Sequence, residues 1–101
     1  MSIYAVYIRD TDESIIFNDG RNRAIVQDRN GTLDTCVVDE QSTFHWMEIS
    51  KNGGRIKQID MKPEVFDAYS ELIETGNYLS GDIANLGSYI KEVKPQDGSL
   101  F

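Results

Sequence analysis

The sequence predicts an α+β domain with a mainly antiparallel β-sheet of about six strands within residues 3–61, followed by two C-terminal α-helices packed on that sheet. Three observations support this prediction. Short runs of β-branched and aromatic residues fill the first sixty positions, two Asn-Gly pairs separate some of them, and a helical apolar period begins after residue 62. At 101 residues the chain has the size of one domain, so we predict a single compact unit over 1–101 with a loose tail at 95–101.

The first two strands are predicted from two apolar runs around a polar segment. Residues 3–8 are rich in Ile, Val and Tyr, and residues 15–17 are Ile-Ile-Phe. The polar residues 10–14 between them are typical of a turn. If the first strand lay at an open edge of the sheet, its Tyr4 and Tyr7 would be placed to pair across a homodimer.

The third and fourth strands are predicted to form a hairpin around Asn30-Gly31, because type I′ turns favour this dipeptide. Counting outward from that turn sets Val26 opposite Thr35. One face of the hairpin then carries the following residues: Ala24, Val26, Leu33, Thr35 and Val37.

The fifth and sixth strands are predicted from the second Asn-Gly pair, at 52–53. This register sets Trp46 opposite Ile59 and His45 opposite Asp60, so that apolar residues meet apolar ones and the two titratable residues face each other. The Trp46 face is then the layer on which the helices pack. A partly exposed Trp46 would instead be an anchor for a protein partner.

Two helices are predicted after residue 62. The first begins at Pro63, since proline suits the first helical position, and ends before Gly76. Its apolar stripe is Val65, Phe66, Tyr69, Leu72 and Ile73. The second begins near Ser80, and we attribute Gly87 within it to close packing on a neighbour. Its predicted buried side is Leu79, Ile83, Leu86, Ile90 and Val93.

Composition excludes several function classes. Seventeen acids against ten bases give a net charge of −7, which argues against direct binding to nucleic acid or to an anionic membrane. Cys36 and His45 are the only cysteine and histidine, so a structural zinc site is excluded, and we expect no cofactor. A single cysteine and the lack of a secretory signal or long apolar run predict a cytoplasmic protein.

An acidic stripe on the first predicted helix is the most informative feature. Glu64, Asp67, Glu71 and Glu74 follow one another at spacings of three or four residues and therefore share one face. The helix has no basic residue at i,i+4 to neutralise them, and adjacent like charges destabilise a helix slightly. The stripe is either a solubilising surface or a recognition surface for a basic partner.

Three hypotheses follow for function. The first is a non-catalytic binding protein that inhibits or regulates a basic-surfaced partner, such as a nucleic-acid-processing enzyme or a toxin, in the manner of nucleic-acid mimics and phage-encoded inhibitors. Its predicted binding residues are the four acids of the stripe and Trp46. The second is a self-associating structural or small-ligand-binding module. The third is a small hydrolase that uses His45 and Asp60.

Overall fold

The computed structural model describes residues 3–18, 20, 22–51, 55–76, 84–91 and 93. Five strands and three helices are present in this part of the chain. In chain order they are β1 (Ile3–Ile8), β2 (Glu13–Asn18), β3 (Arg23–Gln27), β4 (Leu33–Val37), α1 (Glu40–Lys51), β5 (Arg55–Ile59), α2 (Pro63–Thr75) and α3 (Ala84–Lys91).

The strands form one sheet in the order β4-β3-β2-β1-β5, and every neighbouring pair is antiparallel. The predicted α+β class with an antiparallel sheet is therefore confirmed. The predicted strand count and the placement of the helices differ from the structure. Five strands are described instead of about six, a helix separates β4 from β5, and α2 begins in the middle of the chain. The predicted tail at 95–101 and the turn at 52–53 lie outside the described residues.

Helices pack on both faces of the sheet. Alternate residues of β1 point to opposite sides, so Ala5 belongs to one buried cluster and Val6 to the other. The first cluster includes Phe66 of α2 and Leu86 of α3, and we call this side of the sheet the α2–α3 face. Trp46 of α1 packs against the second cluster, which defines the α1 face.

Helix α2 has the boundaries that the sequence predicts. Pro63 occupies its first turn, and Gly76 ends it in the left-handed conformation at φ 68°, donating its N–H to the carbonyl of Ile73 at 3.2 Å. Phe66, Tyr69 and Ile73 are buried against the sheet. This amphipathic pattern explains why the helix could be located from sequence alone.

The β3–β4 hairpin differs from its predicted register by one residue. Gly31 has φ 85° while Asn30 does not have a positive φ, so the turn is not type I′. Asp28 donates to the carbonyl of Thr32 at 3.0 Å, which closes a three-residue loop of the kind that ends in a left-handed glycine. Val26 consequently lies opposite Asp34. The predicted set Ala24, Val26, Leu33, Thr35 and Val37 is therefore split between the two faces.

The segment predicted as the fifth strand is helix α1. Asp39 caps the start of this helix by accepting the backbone N–H of Ser42 at 2.8 Å, and Glu40 lies in the first turn. Strand β5 therefore pairs with β1, not with residues 44–49. The predicted pairing of Trp46 with Ile59 and of His45 with Asp60 is wrong for this reason.

Leu86 and Ile90 of α3 are buried as predicted, and so is Val93, which follows the helix. The predictions for Leu79, Ser80 and Ile83 lie outside the described residues. Close packing does not explain Gly87. Among the described residues, a Cβ atom built at this position has no heavy-atom neighbour within 4 Å, apart from its own helix backbone and chain neighbours.

Gly87→Ala should raise the free energy of unfolding by about 0.5–1 kcal/mol, because alanine has a higher helix propensity and space is open around the site. Urea unfolding followed by circular dichroism measures the change. Gly76→Ala is the matched control. It should destabilise the protein by about 1 kcal/mol, because residue 76 adopts the left-handed conformation. A loss of stability in Gly87→Ala would contradict the open environment.

Asp39 should make the stability of the protein depend on acid pH. The hydrogen bond from the backbone N–H of Ser42 is the main cause that lowers the pKa of the Asp39 carboxyl, and a hydrogen bond with the Ser42 side chain lowers it further. The carboxylate therefore makes its full contribution to the free energy of unfolding above the unfolded-chain pKa of about 3.9. This contribution is lost as the pH falls through the lower pKa of the folded state. Asp39→Asn keeps a capping group but does not titrate. The free energy of unfolding of Asp39→Asn should match that of the wild type near neutral pH. As the pH falls into the acid range, the wild type should lose more stability than the variant. A pH-independent difference would show that Asp39 is not the titrating cap.

Candidate partner-binding surface

Three acidic side chains lie exposed on the outer side of α2. Glu64, Asp67 and Glu71 are all exposed, whereas Phe66 and Tyr69 of the same helix are buried in the core. With a rise of about 1.5 Å per residue, the row from Glu64 to Glu71 is about 10 Å long. We call these three residues the acidic row.

The fourth acid of the predicted stripe has a different environment. Glu74 accepts a hydrogen bond from the guanidinium of Arg23, which extends from β3 and joins this end of α2 to the sheet. The side chains are 33% and 52% exposed, so the pair stabilises the fold by at most about 1 kcal/mol. Arg23 precedes Glu74 by 51 residues, so the i,i+4 pattern of the helix does not reveal this pair. Arg23 therefore compensates part of the charge of Glu74.

Trp46 lies on the α1 face, where it belongs to a chain of three aromatic rings. Its ring centroid is 5.8 Å from that of Phe17, and Phe17 stacks on Tyr4 at 5.2 Å. Trp46 is half-buried against this cluster. The acids of α2 are on the other side of the sheet, so the structure does not bring Trp46 and the acidic row together.

His45 and Asp60 do not form the cross-strand pair on which the hydrolase hypothesis depends. His45 is exposed on α1, and Asp60 is exposed after the end of β5. Because residues 40–51 are helical, no strand register places the two side chains opposite each other. Within the described residues, no group of three or more His, Cys, Asp or Glu residues is arranged to hold a metal ion.

The predicted dimer through Tyr4 and Tyr7 lacks its structural basis. Strand β1 pairs with β2 on one side and β5 on the other, so it is an interior strand and not an edge. Tyr7 is buried and donates its hydroxyl to Asp12 at 2.8 Å in the β1–β2 turn. Burial is the main cause that raises the pKa of the Tyr7 hydroxyl, and this hydrogen bond raises it further. The tyrosine therefore helps to hold the turn, in which Asp12 has a positive φ of 56°.

Cys36 lines a depression beside the edge strand β4, together with Glu13, Val26 and Asp34. Burial is the main cause that raises the pKa of the Cys36 thiol, and the charge of the neighbouring Asp34 carboxylate raises it further. A raised pKa keeps the thiol protonated, which is the opposite of what a reactive cysteine requires.

Sequence reasoning missed the basic character of the β5 edge. Arg55 and Lys57 alternate with Ile56 and Gln58, and these four residues are exposed. The alternation is visible in the sequence, but the predicted hairpin covers this segment with a neighbouring strand. Only the strand order shows that β5 is an edge of the sheet.

Comparison of the chain with protein-family models, curated proteins and solved structures finds no significant match. In the described part of the chain, no helix combines the length and the apolar character needed to cross a membrane.

Trp46→Ala should lower the free energy of unfolding by about 2 kcal/mol, less than the roughly 3–5 kcal/mol typical of a fully buried aromatic residue, because the indole is only half-buried against Phe17. Trp46→Phe keeps a ring in this position and should recover most of the loss. Trp46 is the only tryptophan, so unfolding should be followed by far-UV circular dichroism. Unchanged stability in Trp46→Ala would show that the indole contributes no packing and is available to a partner.

Proposed function

We propose that this protein is a non-catalytic binding protein that regulates or inhibits a basic-surfaced partner, such as a nucleic-acid-processing enzyme or a toxin, through the acidic row of α2. The observation that carries the proposal is the exposure of Glu64, Asp67 and Glu71 on one side of a helix whose other side is buried. Like charges at this spacing cost helix stability, so their retention on one face favours a role in recognition.

The construction of α2 supports this proposal. Pro63 restricts its start, Gly76 ends it, and the core residues Phe66 and Ile73 attach it to the sheet. The acids therefore project from a helix held at both ends and along its inner side. A preorganised row of charges binds with less loss of conformational freedom than the same charges on a flexible segment.

Electrostatics would govern how the partner is reached. The whole chain carries a net charge of −7, so a basic surface is attracted before contact and association is faster at low ionic strength. Glu74 is left out of the acidic row because it pairs with Arg23. Trp46 is assigned to the α1 face and is not needed for this surface.

Charge reversal within the acidic row tests the proposal. Asp67→Lys with Glu71→Lys should slow association with the partner at least tenfold at low salt, and the difference should shrink as salt rises from about 0.05 to 0.5 M, because screening weakens the attraction. The partner is sought in a panel of basic nucleic-acid-processing enzymes, and the measurement is inhibition of each enzyme together with its association rate.

A matched control separates the location of charge from its total. Asp10→Lys with Glu48→Lys alters two acids that are exposed away from α2 and changes the net charge by the same amount, from −7 to −3, since each reversal adds 2. This control should inhibit nearly as well as the wild type. Equal effects of the two double variants would show that only net charge matters, and normal binding by the α2 variant would refute the proposal.

A further inference from the structure

The two edges of the sheet differ in how much of each strand is covered. Strand β4 has α2 packed close to it, and Leu33 contacts the core of the α2–α3 face. Two of its five residues, Asp34 and Val37, are exposed, against four of the five residues of β5. In β5, the four residues from Arg55 to Gln58 are exposed, including Ile56 at 38%. Helix α1 packs near β5 on the α1 face of the sheet. Among the residues that the structure describes, β5 is therefore the more exposed edge of the sheet.

Hydrogen-bond alternation identifies the backbone groups that a further strand would use. Val38 donates to the carbonyl of Asn22 at 2.8 Å, and Asp28 donates to that of Thr32 at 3.0 Å. These bonds show which residues of β3 direct their backbone N–H and C=O groups toward β4. The strand pairings from β3 to β5 contain no bulge, so the same alternation continues through β2 and β1 to β5. By this alternation Arg55 and Lys57 face β1, and the backbone N–H and C=O of Ile56 point away from the sheet.

The side chains around Ile56 define the chemistry of an added strand. Arg55 and Lys57 lie on the α2–α3 face, because they pair with Tyr7 and Ala5, and Ile56 lies on the α1 face. An antiparallel strand whose central residue sits opposite Ile56 places its two flanking residues opposite Arg55 and Lys57. A favourable strand is therefore apolar at its centre and acidic at both flanking positions.

A second copy of this chain does not meet that requirement through β5 itself. Antiparallel pairing of two β5 strands about Ile56 would set Arg55 of each copy opposite Lys57 of the other, and directly opposed like charges are unfavourable. Lysine on an edge strand is a common means of preventing such self-association. The charges thus disfavour self-pairing and favour an acidic strand from another protein.

We propose that the exposed edge of β5 binds an extended acidic segment of a partner protein by strand addition, with an acid–apolar–acid triplet opposite Lys57, Ile56 and Arg55. Backbone hydrogen bonds at Ile56 provide the attachment, and the flanking charges provide specificity. Arg55 and Lys57 also interact within their own chain, so their contribution to affinity is that of surface ion pairs. This site is separate from the acidic row and does not depend on the function proposed for it.

The test uses two capped peptides, Thr-Thr-Glu-Val-Glu-Thr-Thr and its charge-reversed form Thr-Thr-Lys-Val-Lys-Thr-Thr, titrated into the isotope-labelled full chain and followed by NMR. The Glu peptide should bind about tenfold more tightly than the Lys peptide. It should also slow hydrogen exchange of the Ile56 amide and leave the Val37 amide at the other edge unchanged. Equal binding of both peptides, protection at Val37, or no binding would each overturn the proposal.

Two variants make the result specific to β5. Arg55→Glu with Lys57→Glu should reverse the preference, so that the Lys peptide binds more tightly than the Glu peptide. Ile56→Pro removes the outward N–H but leaves the bonds to β1, and it should reduce Glu-peptide binding at least tenfold. The amide spectrum of each variant verifies its fold. Asp67→Lys with Glu71→Lys should bind the peptide normally, so failure at one surface is distinguishable from failure at the other.

Discussion

The fold depends on the need to bury β1 on both faces. Ala5 and Val6 are adjacent in this strand, point to opposite sides of the sheet, and are each 0% exposed. One helical layer could cover only one of them. Helices α2 and α3 cover the Ala5 side, and α1 must therefore lie on the Val6 side, where Trp46 packs on Phe17. The three-layer arrangement follows from this single requirement.

The same arrangement separates the surfaces that are available for binding. Helix α2 carries the acidic row on the outside of one layer, and α1 holds Trp46 within the other. The basic strand β5 forms a sheet edge because α1 connects β4 at one edge to β5 at the opposite one. Acidic and basic features are thus displayed on different elements. A partner that recognises the helix and a partner that pairs with the strand would not need to compete.

Residues 40–51 show why the local sequence pattern does not decide between strand and helix. Its apolar residues, among them Phe44, Trp46 and Ile49, fit alternation and helical spacing about equally well. Asp39 followed by Glu40 is a helix-start signal that the strand prediction, based on the Asn-Gly pair at 52–53, does not include. The uncovered face of β1 supplies the apolar surface that makes a helix here favourable. That surface is created by residues distant in sequence.

The sequence by itself determined the first two strands, helix α2 with its start at Pro63 and its end at Gly76, and the exposed acids of that helix, because turn residues, caps and amphipathic periods act within a few positions. Only the tertiary structure decided the strand order, the helical state of residues 40–51, the pairing of Glu74 with Arg23 and the exposed edge at β5. Each of these depends on contacts between residues far apart in the chain, for which local propensity carries no information.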